Sequence, residues 1–486
     1  MAINSFKDDQ SFLEKLALGA TGTKATISRL IKLGFRPIEL ERGSTGYKIW
    51  KKIKIKRVRV PDILCLKTGK RFESRAKSKL EISMSHSLKD PNRAWDSGMR
   101  SDDRVAVLVC TQQNDLPINW NIDSPIHFIT IEEMRNAAKK KRVNITKPKG
   151  VEEGSEIRMI WPCKGANQDS SVTELTSNSI KLLSSTNKPQ RCVLSRKNGK
   201  LIPQCKQGDN IKKNQIIASC VNIELSPESD VEVNESYYID KLKSASLSER
   251  YASAKALRFR GYNKSLKLLK ERIIDSEEDI YVQLEAAAAL AAYDNTEGWD
   301  FIRKSLNSDY LTVQLETVIV LSEIAKNISE ELLVEVLLDS NRDIEIRSGA
   351  AWALGEFATN KSASALINTF NLASVEIKVE AARALLKIAP SQIDLLVNAI
   401  KEVEESKRDG IAWALSRCRG FSPIDIIKDS SDNNLRKWAS YIIGYGKDNF
   451  LENHITDICN KDPEVHFAAS VLWQILSSWI YNLNEY

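Results

Sequence analysis

Residues 61–79 read "PDILCLKTGKRFESRAKSK". Asp62 follows a proline and opens a β-prone apolar run, "DILCL"; "KTGK" then supplies a glycine turn. The next stretch, "RFESRAKSKLEIS", alternates strictly. Because side chains along a strand point to opposite faces, Arg71, Glu73, Arg75, Lys77, Lys79 and Glu81 share one face, and Phe72, Ser74, Ala76, Ser78, Leu80 and Ile82 share the other. A hairpin closed around Thr68-Gly69 sets Leu66 across from Arg71 and Asp62 across from Arg75. Any even-length loop centred there preserves the parity. Asp62, Glu73, Arg75 and Lys77 are therefore expected on one face of two adjacent strands. The plainer reading is a hairpin whose charged face is solvated.

Carboxylates a few ångströms apart repel, and holding both ionised favours a divalent cation between them. Magnesium takes one or two protein carboxylates and completes its shell with waters and phosphate oxygens. A neighbouring lysine can orient or deprotonate an attacking water and offset charge on the transition state. These are the requirements of phosphodiester hydrolysis.

The stretch resembles the PD-(D/E)xK superfamily of restriction-endonuclease-like nucleases, with "PD" at Pro61-Asp62 and the second acid at Glu73. The resemblance covers roughly residues 10–145. It implies an α/β core, dependence on Mg²⁺ (or Mn²⁺) and cleavage of DNA, with Asp62 and Glu73 as metal ligands. Strict spacing puts Arg75 where the family has lysine. Arginine stays protonated and serves as a phosphate contact rather than a base. Lys77, two residues on and on the same face, is the preferred carrier of the lysine role. Glu39, Glu41 or Glu14 is an additional candidate carboxylate.

Around this stretch the first third of the chain is basic. Residues 1–150 hold 31 Lys and Arg against 16 Asp and Glu, residues 151–235 hold 11 of each, and residues 236–486 hold 29 against 37. A basic first domain on an acidic remainder points to a polyanion as the first domain's partner, which the resemblance implies is DNA. "KIWKKIKIKRVRV" (48–60) offers Lys52, Lys54, Lys56 and Arg57 to a phosphate backbone, and Lys79 and His86 extend the same expectation. The same strand reads equally as a lysine-protected sheet edge. Helical "TISRLIKLGF" and strand-like "DRVAVLVC" and "PIHFITI" make residues 1–148 an α/β domain.

Residues 149–235 show short β-rich runs punctuated by Gly, Asn, Pro and Asp, the pattern of a small all-β, barrel-like domain. "GDNIKKNQIIA" (208–218) resembles a turn of biotinyl/lipoyl-type domains, yet no carrier lysine follows in the usual setting, so no prosthetic group is expected.

Residues 236–486 repeat. AKAL (254–257), AAAL (287–290), VIVL (318–321), AWAL (351–354), ARAL (382–385), AWAL (412–415), ASYI (439–442) and ASVL (469–472) recur every 27–33 residues. That period marks a solenoid of about eight helical repeats. "DIEIRSGAAWAL" (343–354) resembles the short HEAT-like repeats, which implies an all-α array offering an extended surface to a protein partner or a substrate.

Eight cysteines without a CxxC pair read as reduced thiols of a cytoplasmic protein. No apolar run reaches the length of a membrane helix, and the N-terminus is a poor secretory signal. The expectation is a multidomain, metal-dependent deoxyribonuclease in prokaryotic genome defence or repair. Its alternative is a non-catalytic, nucleic-acid-binding repeat scaffold.

Overall fold

The computed structural model describes residues 9–41, 58–112, 120–147, 156–196, 199–229, 231–260, 264–372, 374–428, 430–446 and 451–476. The described residues up to Ala289 form one compact unit, and those from Leu290 form a second.

The first unit begins with helix α1 (Asp9–Lys32) and a meander of β1 (Pro37–Glu39), β2 (Ile63–Cys65) and β3 (Arg71–Lys77). Strand β4 (Ile82–Ser87) leads to β5 (Arg104–Gln112), β6 (Trp120–Ile122), β7 (His127–Thr130) and helix α2 (Ile131–Lys139). The main sheet runs β1-β2-β3-β5-β6, with β7 also on β5; β3 pairs antiparallel with β2 and parallel with β5. The predicted hairpin strand is thus central in a mixed sheet. Its Phe72 face packs with Leu30, Phe35, Ile63, Ala106 and Phe128. Helix α1 covers this face closely because residue 22 is glycine, where a Cβ would come within 2.6 Å of the Ala76 Cβ.

Next come β8 (Asn144–Thr146), β9 (Glu156–Trp161), β10 (Cys163–Gly165), β11 (Ser170–Leu175), β12 (Ser179–Ser184), β13 (Pro189–Val193), β14 (Ile202–Pro203), β15 (Asn210–Ile211) and β16 (Ile216–Ser219). The β-rich reading holds, but the barrel does not. The strands form two open sheets, β10-β16-β14 and β13-β12-β11-β15. Strands β14 and β15 are two residues long, too short to carry a ladder round to closure, and the β10–β16 register slips at Lys164/Gly165. Strand β9 is the centre of a third sheet, β4-β9-β8. One apolar core runs from Val105, Val107 and Ile129 through Trp161 to Ile180 and Ile217. Buried His127 ties the two regions together: its Nε2 accepts the Ile216 N–H at 2.9 Å while its Nδ1 lies 3.3 Å from the Val107 carbonyl. Burial holds its pKa down at about 4, so the ring is neutral at ordinary pH.

Helices α3 (Glu235–Leu242), α4 (Leu247–Arg260) and α5 (Leu266–Ile274) complete this unit with most of α6 (Ile280–Ala292). They clamp the β2–β3 turn. The Tyr238 hydroxyl donates to the Leu66 carbonyl at 2.9 Å, and the Tyr237 ring sits where a Cβ on Gly69 (φ +68°) would fall. Arg71 is buried against Asp103 and donates to the Ser248 Oγ of α4 at 2.6 Å. Removing the Tyr238 hydroxyl leaves a buried carbonyl unpaired; Tyr238→Phe is expected to cost about 1 kcal/mol, read as a lower urea midpoint.

The second unit is all helix: α7 (Thr296–Leu306), α8 (Leu311–Ile324), α9 (Asn327–Leu338), α10 (Ile344–Leu354), α11 (Asn360–Ile367), α12 (Val375–Glu402, kinked by Pro390), α13 (Glu405–Leu415), α14 (Asn433–Gly446), α15 (Leu451–Lys461) and α16 (Pro463–Leu476). The repeated signature lands on α4, α6, α8, α10, α12, α13, α14 and α16, and from α6 to α13 its small and aliphatic residues are largely buried. Asp343, Thr359 and Asp432 cap helix N-termini. A second repeat feature explains the arginine of "DIEIRSGAAWAL". Seven residues before the last signature residue stand Arg250, Gln283, Gln314, Arg347 and Arg408. Each donates to a carbonyl just ahead of its own helix: Ser244, Asp275, Ser308, Leu337 and Lys401 respectively. In these five repeats a long donor closes the turn before the buried helix. Among the described residues no helix is long and apolar enough to cross a membrane.

Candidate active site

On the face of β3 away from α1 stand Arg71, Glu73, Arg75 and Lys77. The loop between β2 and β3 closes with Cys65 N–H to the Lys70 carbonyl at 2.9 Å and Gly69 N–H to the Cys65 carbonyl at 2.8 Å. It is a four-residue loop, so parity is kept, but the register differs from expectation by one residue pair. Ile63 lies across from Phe72 and Leu64 across from Arg71. Continuing that register places Asp62 across from Glu73 rather than Arg75. The two carboxylates are brought closer than the sequence suggested.

Neither is solvated: Asp62 and Glu73 are each 7% exposed. The Asp62 Oδ2 accepts the Ser74 N–H at 2.7 Å, and the Asp62 carbonyl accepts from Leu40 and Glu41. The Asp62 carboxyl is raised well above the usual range, by burial first and then by the Glu73 and Glu41 charges. Glu73 is raised too, again chiefly by burial, with Arg75 pulling it back down. Glu41 is therefore the extra carboxylate whose charge acts on both. Two buried acids with too little positive charge between them are what an oxygen-liganded divalent cation relieves, and one or two carboxylates suffice for magnesium. The donor set fits such an ion at Asp62 and Glu73. Among the described residues no three His, Cys, Asp or Glu side chains converge as a ready-made metal cage.

Arg75 pairs with Glu73, Nη2 to Oε1 at 2.5 Å, and this partner raises its own pKa further. Its buried Nε has no hydrogen-bond partner. Lys77 ends β3, half-buried, and its pKa is lowered to about 8 by burial, then by the positive charges of Arg75 and Arg158, with Glu81 opposing. Arg158 comes from β9. The strand ends at Lys77, so Lys79 is an exposed residue of the following connection and not part of the β3 face. His86 lies in β4, where its Nδ1 accepts the Trp95 N–H at 3.3 Å. Lys52, Lys54, Lys56 and Arg57 lie outside the described residues. All eight cysteines are unpaired thiols.

Sequence reasoning missed Arg71, which it grouped with the charged face. It is a buried ion-pair residue, and only the distant α4 and Asp103 reveal that. The role of Arg158 was equally hidden, 81 residues from Lys77 in the chain.

No family model and no curated protein matches the chain. Among solved structures, the complex of CpcE and CpcF of phycocyanin lyase from Nostoc sp. PCC7120 is similar at 17% identity, over 50% of this chain and 97% of that one, with a TM-score of 0.25. Human deoxyhypusine hydroxylase is similar at 17% identity, over 51% and 86%, with a TM-score of 0.19. An engineered protein is similar at 21% identity, over 51% and 75%, with a TM-score of 0.25. Likenesses at such scores carry no inference about activity.

Proposed function

We propose that the first unit is a Mg²⁺-dependent nuclease of the PD-(D/E)xK type acting on DNA phosphodiester bonds. The observation that carries this reading is that Asp62 and Glu73 are both buried and both raised in pKa, with the Glu73 charge acting on Asp62, beside a strand that also bears a lysine whose pKa is lowered to about 8. Buried, electrostatically strained carboxylates are costly to a fold and are concentrated at functional sites. Bound there, the metal supplies Lewis-acid polarisation of the scissile phosphate. Asp62 and Glu73 hold it. Lys77, partly neutral near pH 8, takes the proton of the attacking water, and Arg75 engages a phosphate oxygen. The helical array offers its repeated surface to a protein partner or to the substrate.

Supercoiled plasmid with the full chain and Mg²⁺ or Mn²⁺, against an EDTA control, tests the reading; nicking abolished by EDTA is expected. A second reading rests on the Glu73–Arg75 pair, which neutralises one carboxylate with no metal at all. It describes a DNA-binding scaffold. Salt-sensitive DNA binding unchanged by Asp62→Ala, with no cleavage in either metal, would favour it.

A further inference from the structure

The Arg75 guanidinium occupies the Glu73 oxygen that a divalent cation at this site would also need. The guanidinium lies 2.5 Å from Glu73 Oε1, and its side chain is 42% exposed while that of Glu73 beneath it is 9% exposed. The arginine is the more accessible partner of the pair. The arginine is also incompletely bonded, since its Nε is buried without a partner. A phosphodiester offers the guanidinium fork two non-bridging oxygens that share one negative charge, in matching geometry.

We propose that Arg75 is a latch on the metal site: it occupies Glu73 in the free protein, and a DNA phosphate draws it away so that the metal loads only with substrate present. This inference rests on the nuclease reading and assigns Arg75 a positioning role in it. Metal and DNA then bind with positive coupling, and by linkage each tightens the other by the same factor. A site that loads only with its phosphate in place leaves no hydrolytic metal centre exposed in the free protein. The departure from lysine at the position two residues after Glu73 thereby acquires a purpose, while Lys77 retains the proton-transfer role.

The test is Mn²⁺ binding to the full chain, followed by electron paramagnetic resonance without DNA, in the native protein, Arg75→Gln and Asp62→Asn. Anisotropy of a labelled phosphorothioate duplex, with and without Mn²⁺, measures the coupling. Arg75→Gln is expected to bind Mn²⁺ about tenfold more tightly than the native protein, within the ordinary range of coupling between two sites. Its DNA affinity is expected to lose its dependence on Mn²⁺. Arg75→Lys, which keeps a charge but not the fork, should fall between them and serves if the glutamine variant does not fold. Equal or weaker Mn²⁺ binding by Arg75→Gln would overturn the latch while leaving the metal site standing. If no protein binds Mn²⁺, with DNA or without, the nuclease reading fails and the latch with it.

Discussion

Asp62→Asn is expected to abolish metal-dependent cleavage and, at the same time, to raise the melting temperature of the protein. The two effects share one cause. Burial, Glu73 and Glu41 all push the Asp62 carboxyl above its usual range, and the Arg75 charge and the Ser74 N–H recover only part of the cost. A carboxylate with a raised folded pKa contributes stability that is complete below its unfolded pKa and is lost as pH rises through the folded value. At neutral pH the buried carboxyl is therefore a burden on the fold. Asparagine has the same shape, and its Oδ1 can still accept the Ser74 N–H. The gain should be about 1–2 kcal/mol, the usual size of a stabilising substitution, or about 2–4 °C for a unit of this size. Cleavage should fall about 10³-fold, equivalent to about 4 kcal/mol of transition-state stabilisation. Plasmid nicking and differential scanning calorimetry, run at neutral pH on the same preparation, read both quantities. A less stable variant that still cleaves would make Asp62 a strand-start residue held for its bond to Ser74.

The parts of this fold that were legible in the sequence are those set by local period. Alternation in "RFESRAK" assigned Phe72, Ser74 and Ala76 to one face and Glu73, Arg75 and Lys77 to the other, which is how β3 meets α1 and the site. The small-residue signature located the buried helix of each repeat because close helix packing needs those residues at those turns. Register was less legible. Parity follows from loop evenness, whereas the residue across from Asp62 depends on where the four-residue loop closes, here with Cys65 N–H on the Lys70 carbonyl and Gly69 at φ +68°. What long-range packing decides was not legible at all. Nothing near Arg71 in the chain says that Asp103 and Ser248 will enclose it, or that open sheets will stand where strand spacing suggested a barrel.

Lys77 lends itself to the most discriminating measurement, because burial and two guanidinium groups bring its pKa down to about 8. If its neutral amine accepts the proton of the attacking water, the single-turnover cleavage rate should rise about tenfold per pH unit below pH 8 and level off above it. If instead its charge steadies the phosphorane-like transition state, the rate should be flat below pH 8 and fall above. The first profile is expected, since Arg75 already supplies a permanent positive charge on the same strand face and a second would add less than a base. Lys77→Met should lower the rate by about 10²–10⁴-fold, the usual worth of a positioned general base, and flatten the profile. Lys77→Arg keeps the charge and should not rescue it. Arg158→Gln separates the electrostatics from the chemistry. Removing that positive neighbour lets the Lys77 pKa climb, so the midpoint of the profile should move to higher pH with the plateau rate little changed. A profile that ignored Arg158 and survived Lys77→Met would assign the proton transfer to another group, and the lysine at the end of β3 would then be a buried-edge residue and nothing more.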